Sequence, residues 1–322
     1  MNYTPTLGLR NPHVNTILAS TAPRRWWQRR LNEKVYPSRQ DMLLACSEGI
    51  RLHGEYVCNP DAAKGCVILL HGWEGCSESA YMQSVGRAFF KNGYSVFKLH
   101  LRDHGPSSHL NPEPFLAIRL AEVIDAIEAI HSRLAYGRYC LVGFSLGGNI
   151  ALRVAANMAG RAITLERVLA VCPPIDPHAC GRAISASAVY NRHFVGIWRA
   201  SFRRKLQHYP ELRAHEDVFE HDDILDLHEA FVPRFSSHPN AASYFRAYRL
   251  AEDVLPTLEA SCHVLLAEDD PVIPVEDCAI LPDHPKLTLE LSRFGGHCGF
   301  LKNYRGHSWL DERLPALCDP RH

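Results

Sequence analysis

The sequence has no C-x-x-C pair, no excess of either charge, no internal repeat and no apolar run long enough to cross a bilayer. Each absence removes a class of function. Lys plus Arg number 35 and Asp plus Glu number 35, so the long-range attraction on which nucleic-acid binders depend is missing and no nucleic-acid partner is expected. Met1 to Leu18 holds no signal-peptide core, and no later stretch approaches the roughly 20 apolar residues of a transmembrane helix, which gives a cytoplasmic location as the expectation. The 11 cysteines are scattered and odd in number, a pattern of reduced thiols, with neither the spacing of a structural zinc site nor that of a redox motif. No metal and no cofactor is therefore expected. What is present is an ordinary globular composition, 46% hydrophobic and 22% charged over 322 residues, enough for one large core carrying an insertion.

The order of apolar runs carries the fold. Residues 34–58 alternate weakly around Ser47-Glu48-Gly49 and read as an antiparallel hairpin at a sheet edge. From Cys66 onward short continuous apolar runs follow one another: 66–70, 95–101, 139–143, 168–172, 264–267 and 287–291. Continuous runs of this length belong to strands buried on both faces, and helix-length segments at 81–91, 116–131 and 146–158 alternate with them. The expected class is α/β, a mostly parallel central sheet with flanking helices joined by right-handed crossovers. Between 177 and 255 the alternation stops, and helical patterns at 189–205 and 221–230 suggest a helical cap inserted into a single domain whose core is 34–176 and 256–322. Residues 1–33 precede that core as a separate segment.

Chemistry concentrates in four loops. Gly143-Phe144-Ser145-Leu146-Gly147 follows an apolar run and opens a helix, the setting of a nucleophile elbow, where a Cβ at 143 or 147 would collide with the neighbouring strand or helix. A serine hydroxyl needs a base within hydrogen-bond reach and a carboxylate to orient that base. Gly295-Gly296-His297-Cys298-Gly299 supplies the candidate base in His297, and Glu268-Asp269-Asp270-Pro271 supplies Asp270 as the candidate acid, with Asp269 and Asp176 as competitors. His71-Gly72-Trp73-Glu74-Gly75 follows the first parallel run, where the main-chain N–H of Trp73, with that of Leu146, would face a tetrahedral oxyanion. His100, His104 and His109 share no helical face and read as structural, and the His221/Asp226 pair is no commoner than chance allows. Arg24-Arg25-Trp26-Trp27-Gln28-Arg29-Arg30, with Trp198, Phe202 and Arg203-Arg204-Lys205, mixes cations and aromatics as interfacial segments do; a solvated basic face packed by its tryptophans is the commoner explanation of such a set, and transient contact with a lipid surface is the alternative beside it.

Three stretches together resemble AB hydrolase family 4 of the α/β-hydrolase superfamily, a group of carboxylesterase- and lipase-like proteins. They are Arg10-Asn11-Pro12-His13-Val14-Asn15-Thr16, the elbow from Gly143 to Asn149, and the pair Asp269-Asp270-Pro271 with Gly295-Gly296-His297-Cys298-Gly299-Phe300. The resemblance implies the α/β-hydrolase fold, a triad of Ser145, Asp270 and His297, and a small-molecule ester as substrate. Acyl transfer or thioester cleavage by the same serine, or a silent fold serving as receptor or scaffold, stay open beside it, as does oligomeric state. The chain departs from the family at Arg102-Asp103-His104-Gly105-Pro106, where many members have R-G-C or R-G-x-G, and at Tyr244-Phe245, where a Tyr-Tyr pair is common. Both departures put substrate preference in doubt.

Overall fold

The structure, a computed structural model, describes residues 3–319 apart from Pro256. Eight strands form one sheet in the order β1-β2-β4-β3-β5-β6-β7-β8. β1 (Gln40–Ala45) and β2 (Arg51–Val57) make the expected antiparallel hairpin, and β2 runs antiparallel to β4. β3 (Cys66–Leu70), β4 (Ser95–Leu99), β5 (Tyr139–Phe144), β6 (Leu165–Val171), β7 (Ser261–Ala267) and β8 (Leu287–Ser292) are all parallel. The mostly parallel α/β sheet read from the apolar runs is the one observed. Every residue of β3, β4 and β5 is buried, because helices cover both faces of the sheet centre. β8 differs from the expectation: as the last strand it is covered on one side only, and Leu289 and Leu291 are 39% and 45% exposed.

Between the strands run α3 (Ala80–Lys91), α4 (Leu120–Leu134) and α5 (Leu146–Ala155), with α10 (Leu310–Cys318) closing the chain. α4 begins four residues later than its periodicity suggests. The backbone there is tied elsewhere: the Ala117 N–H donates to the Tyr244 hydroxyl at 2.8 Å, and the Ala117 carbonyl accepts from Arg153 at 2.8 Å. The segment before the sheet forms two helices, α1 (Pro12–Ser20), capped by the Asn11 side chain with Pro12 in its first turn, and α2 (Ala22–Glu33). Between β6 and β7 lie α6 (Pro177–Ser185), α7 (Ala188–Leu206), α8 (Ile224–Phe235) and α9 (Ala241–Arg246). Residues of all four helices line one cavity together with Trp73, after β3, and Ser145, after β5.

The charged and aromatic set on α7 divides between solvent and interior, with Arg203 and Arg204 exposed. Trp198 and Phe202 are buried, and the Lys205 ammonium is buried against Asp103 at 2.5 Å and the carbonyl of Asn111 at 2.6 Å. On α2 Trp26 is 62% exposed, with Arg30 over its ring, while Trp27 stacks on His307. Among the described residues no helix is long and apolar enough to cross a membrane.

Candidate active site

Parallel strands deliver their following loops to one rim, and the strand order decides which loops can meet. β5 and β7 flank β6, so side chains after them start about 10 Å apart, two strand spacings. A group arriving from beyond β8 must reach back over the end of β6 to touch both.

Ser145 sits between β5 and α5 with φ 52° and ψ −124°, a backbone that a non-glycine residue adopts only under constraint. The constraint is visible. Its N–H donates to the Val171 carbonyl at 2.8 Å, and its own carbonyl accepts from Gly148 and Asn149 in the first turn of α5. A Cβ on Gly143 would lie 2.0 Å from the Gly147 carbonyl oxygen, and one on Gly147 would lie 2.4 Å from that of His71. Glycine at both positions is thus what lets strand, turn and helix close so sharply.

His297 bridges the gap. Its Nε2 lies 2.9 Å from Ser145 Oγ and its Nδ1 lies 2.9 Å from Asp270 Oδ2. The Asp270 side chain is fully buried, and its other oxygen accepts from the N–H groups of Val272 at 2.8 Å and Ile273 at 3.0 Å. Burial by itself would lower the pKa of His297, but the adjacent Asp270 carboxylate outweighs it and raises the group from 6.5 to about 9. The two competing carboxylates are engaged elsewhere. Asp176 caps α6 by accepting from His178 and Ala179 and pairs with Arg249 at 3.2 Å. Asp269 accepts from the Gly296 N–H at 2.9 Å, so it holds the histidine loop and is more than a turn residue.

The loop is held from a second direction. The His297 N–H donates to Thr16 Oγ1 at 2.8 Å, and that hydroxyl donates to the Pro12 carbonyl at 2.7 Å. Asn15 Oδ1 accepts from the Leu301 N–H at 3.0 Å. A Cβ on Gly296, at φ 55°, would stand 2.5 Å from Thr16 Oγ1, and one on Gly299 would stand 2.4 Å from Asn15 Oδ1. The glycines around His297 therefore admit α1, a reason their local sequence does not disclose.

Trp73 and Leu146 border the same cavity as Ser145, and among the described residues neither main-chain N–H is taken by another group. The cavity encloses about 1090 Å³ outside atoms, part of it open to solvent, and Phe194, Trp198, Phe231 and Phe245 from the overlying helices form its apolar wall. Two polar groups interrupt that wall. Burial raises the Glu74 carboxyl to about 7 against the pull of Ser201 and Arg204. Burial likewise lowers His228 to about 4, and its Nδ1 donates to the Ile224 carbonyl at 2.8 Å. Neither residue stood out in the sequence, because both matter only through what α7 and α8 place beside them. Of the remaining histidines, His100 and His104 are buried and hydrogen-bonded near the His71 loop, while His221 and Asp226 lie exposed on the surface.

Behind the imidazole, Cys172 at the end of β6 and Cys298 bring their sulfurs beside His297. Burial would raise the Cys298 thiol, yet Cys172 and the histidine draw it below its ordinary range, while burial pushes Cys172 well up.

The comparisons with known proteins agree with this architecture. A 26% identical protein of Escherichia coli strain K12, YheT, provisionally named an esterase, aligns over 97% of this chain and 92% of its own length. A monoacylglycerol lipase of Saccharomyces cerevisiae is 21% identical over 80% of this chain, which covers 59% of that protein. Among solved structures, the Pyrobaculum calidifontis esterase superposes with a TM-score of 0.57 at 16% identity, covering 92% of this chain and 88% of that one. An Exiguobacterium antarcticum esterase gives 0.53 at 17% identity, with coverages of 86% and 98%. The sequence profile of the alpha/beta hydrolase family matches residues 67–312, about three quarters of the chain from β3 into α10, and the chain belongs to that family.

Proposed function

We propose that the protein is a serine hydrolase that cleaves carboxylic esters through an acyl-enzyme. The observation that carries the reading is the unbroken line from Ser145 Oγ through His297 to the fully buried Asp270, 2.9 Å at each step. Ser145 attacks the ester carbonyl while His297 Nε2 takes its proton, and Asp270 fixes the ring with Nδ1–H towards the acid and stabilises the imidazolium that forms. The N–H groups of Trp73 and Leu146 receive the negative charge that develops on the carbonyl oxygen. His297 returns its proton to the departing alcohol, and a water activated by the same ring releases the acid. None of these steps needs a cofactor. The names of the Escherichia coli and yeast relatives point to ester cleavage.

Residues 177–255 act in this reading as the cap that excludes water from the serine. The apolar wall they provide suits acyl groups of short to medium length. A fluorophosphonate probe should label the wild type and neither Ser145→Ala nor His297→Ala, and a series of p-nitrophenyl esters should be turned over with a chain-length optimum. Equal labelling of Ser145→Ala would remove the reading. Added alcohols or thiols in the ester assay separate hydrolysis from acyl transfer.

A further inference from the structure

The mechanism leaves two buried thiols unused, and both stand against its base. Cys172 and Cys298 come from loops 126 positions apart in sequence, and a ligand atom from each, with one from His297, lies within 4.8 Å of the other two. Beyond their contact with each other, the thiols are lightly held. Cys298 Sγ faces the Val171 carbonyl at 3.6 Å and Cys172 Sγ faces the Gly296 carbonyl at 3.9 Å, both weak contacts.

We propose that Cys172, Cys298 and His297 form an inhibitory site for a soft, tetrahedral divalent cation, for which Zn²⁺ and Cd²⁺ are the probes. A zinc ion takes thiolate at about 2.3 Å and imidazole at about 2.0 Å, so its ligand atoms sit roughly 3.5–3.8 Å apart. From separations of at most 4.8 Å the three ligands need to close by about 1 Å, shared between each pair, which side-chain rotation supplies. Two thiolates and one imidazole are the donor set that soft cations select over Mg²⁺ or Ca²⁺. Cys172 is sealed, while Cys298 is 7% exposed and the His297 side chain 13%, so the ion enters from the side of the catalytic rim.

Binding releases to solvent the two thiol protons and, where the His297 ring is an imidazolium, one ring proton as well, forms two metal–sulfur bonds and one metal–nitrogen bond, and leaves the fourth position to water or Ser145 Oγ; inhibition strengthens as pH rises. Both ring nitrogens of His297 are already committed, Nδ1 to Asp270 and Nε2 to Ser145. An ion on either one takes the base from the triad, so the outcome does not depend on which it chooses. The absence of C-x-x-C spacing is no obstacle, because the sheet joins what the chain separates.

The inference rests on His297 being the base, and its test reads binding and activity separately. The reduced full-length protein is titrated with CdCl₂ and ZnCl₂, following p-nitrophenyl ester hydrolysis and, for Cd²⁺, the ultraviolet thiolate-to-metal charge-transfer band, with MgCl₂ as control. One ion per chain should abolish turnover, EDTA should restore it, and Mg²⁺ should do nothing. Cys172→Ala should keep ester hydrolysis, lose the thiolate band of this site and raise the inhibition constant by more than the roughly 10–100-fold that loss of an outer partner costs. Inhibition of Cys172→Ala at the wild-type concentration would overturn the proposal, since the ion would then sit on another of the 11 thiols. Should Cys172→Ala not fold, Cys298→Ala gives the same two readouts. If the wild type hydrolyses no ester, the proposed function fails, and the difference in Cd²⁺ absorption between wild type and variant still decides the site.

Discussion

At the ends of β7 and β8, His297 is raised to about 9; at the ends of β3 and β4, the more fully enclosed His71, His104 and His100 are lowered to about 4, 3 and 2. Burial acts the same way in both places, by penalising the charged ring. The difference is a partner. His297 has a buried carboxylate at 2.9 Å, whereas the other three face backbone groups, one another and, for His100, the His53 ring at 2.9 Å. His71 donates from Nδ1 to the Gly72 carbonyl at 2.7 Å and accepts at Nε2 from the Leu101 N–H at 3.1 Å. His100 Nε2 accepts from the Ser77 N–H at 3.0 Å, and its ring lies 5.9 Å from that of His71. A neutral imidazole, one donor and one acceptor, suits the pinning of the loop that carries Trp73. In the proposed function one region uses histidine as a proton carrier, and the other holds it as a bracket.

Removing the carboxylate should erase the contrast. Asp270→Asn is expected to lower kcat by roughly 10⁴-fold while the protein still folds, because an amide holds the ring in the wrong tautomer. The acid limb of wild-type kcat/KM should lie above 6.5, towards 9, since only the neutral ring can accept the serine proton, and in Asp270→Asn the limb of any residual activity should fall. A wild-type limb below 6.5 would mean that burial, and not Asp270, dominates at this site as well.

The stability of the two regions should respond to pH with opposite signs. The neutral histidines fold with pKa values below the 6.5 of the unfolded chain, so the unfolded state takes protons first as pH falls. Their contribution is complete above 6.5 and is lost below it, at up to about 1.4 kcal/mol per pH unit for each ring. The contribution of His297 is complete below 6.5 and is lost as pH rises through about 9. Urea midpoints measured across that range should therefore drop steeply on the acid side and more gently on the alkaline side. A flat acid side would show that the stack near β3 opens to water.

A smaller effect tests the bracket directly. His100→Ala leaves the Ser77 N–H without its acceptor and opens a cavity, and should cost about 2–4 kcal/mol in urea unfolding with turnover per folded molecule little changed. Silent folded enzyme would place that region in the chemistry too. Thr16→Val keeps the shape but removes the acceptor of the His297 N–H; kcat/KM should fall about tenfold, the worth of about 1.4 kcal/mol, with KM for soluble esters held. No change in kcat would reduce α1 to a cover over the loop.

Much of this arrangement was legible because local constraints write it plainly. The continuous runs from Cys66 to Leu291 give the parallel strands, and the elbow is readable because two glycines are required where a strand turns at once into a helix. The order of serine, aspartate and histidine pointed to one rim, and the geometry brings Ser145, Asp270 and His297 together there. The hold of Asn15 and Thr16 on the histidine loop lay out of reach, although the block containing them was conspicuous, because its partners stand more than 280 positions away. For Trp198, Phe202 and Arg203-Arg204-Lys205 the sequence allowed a lipid-contacting segment or a solvated basic face packed by its aromatics; Arg203 and Arg204 are exposed and Lys205 meets a buried Asp103, a division that the local pattern of a cationic aromatic helix does not disclose.

By itself the sequence determined which segments must be strands and where the chain must turn sharply, because apolar burial and steric exclusion act between near neighbours. Only the tertiary structure decided which carboxylate reaches His297, why glycine surrounds it, and that Cys172 and Cys298 share its corner. Those outcomes depend on strand order and loop reach, which bring together residues whose separation along the chain carries no trace of their contact.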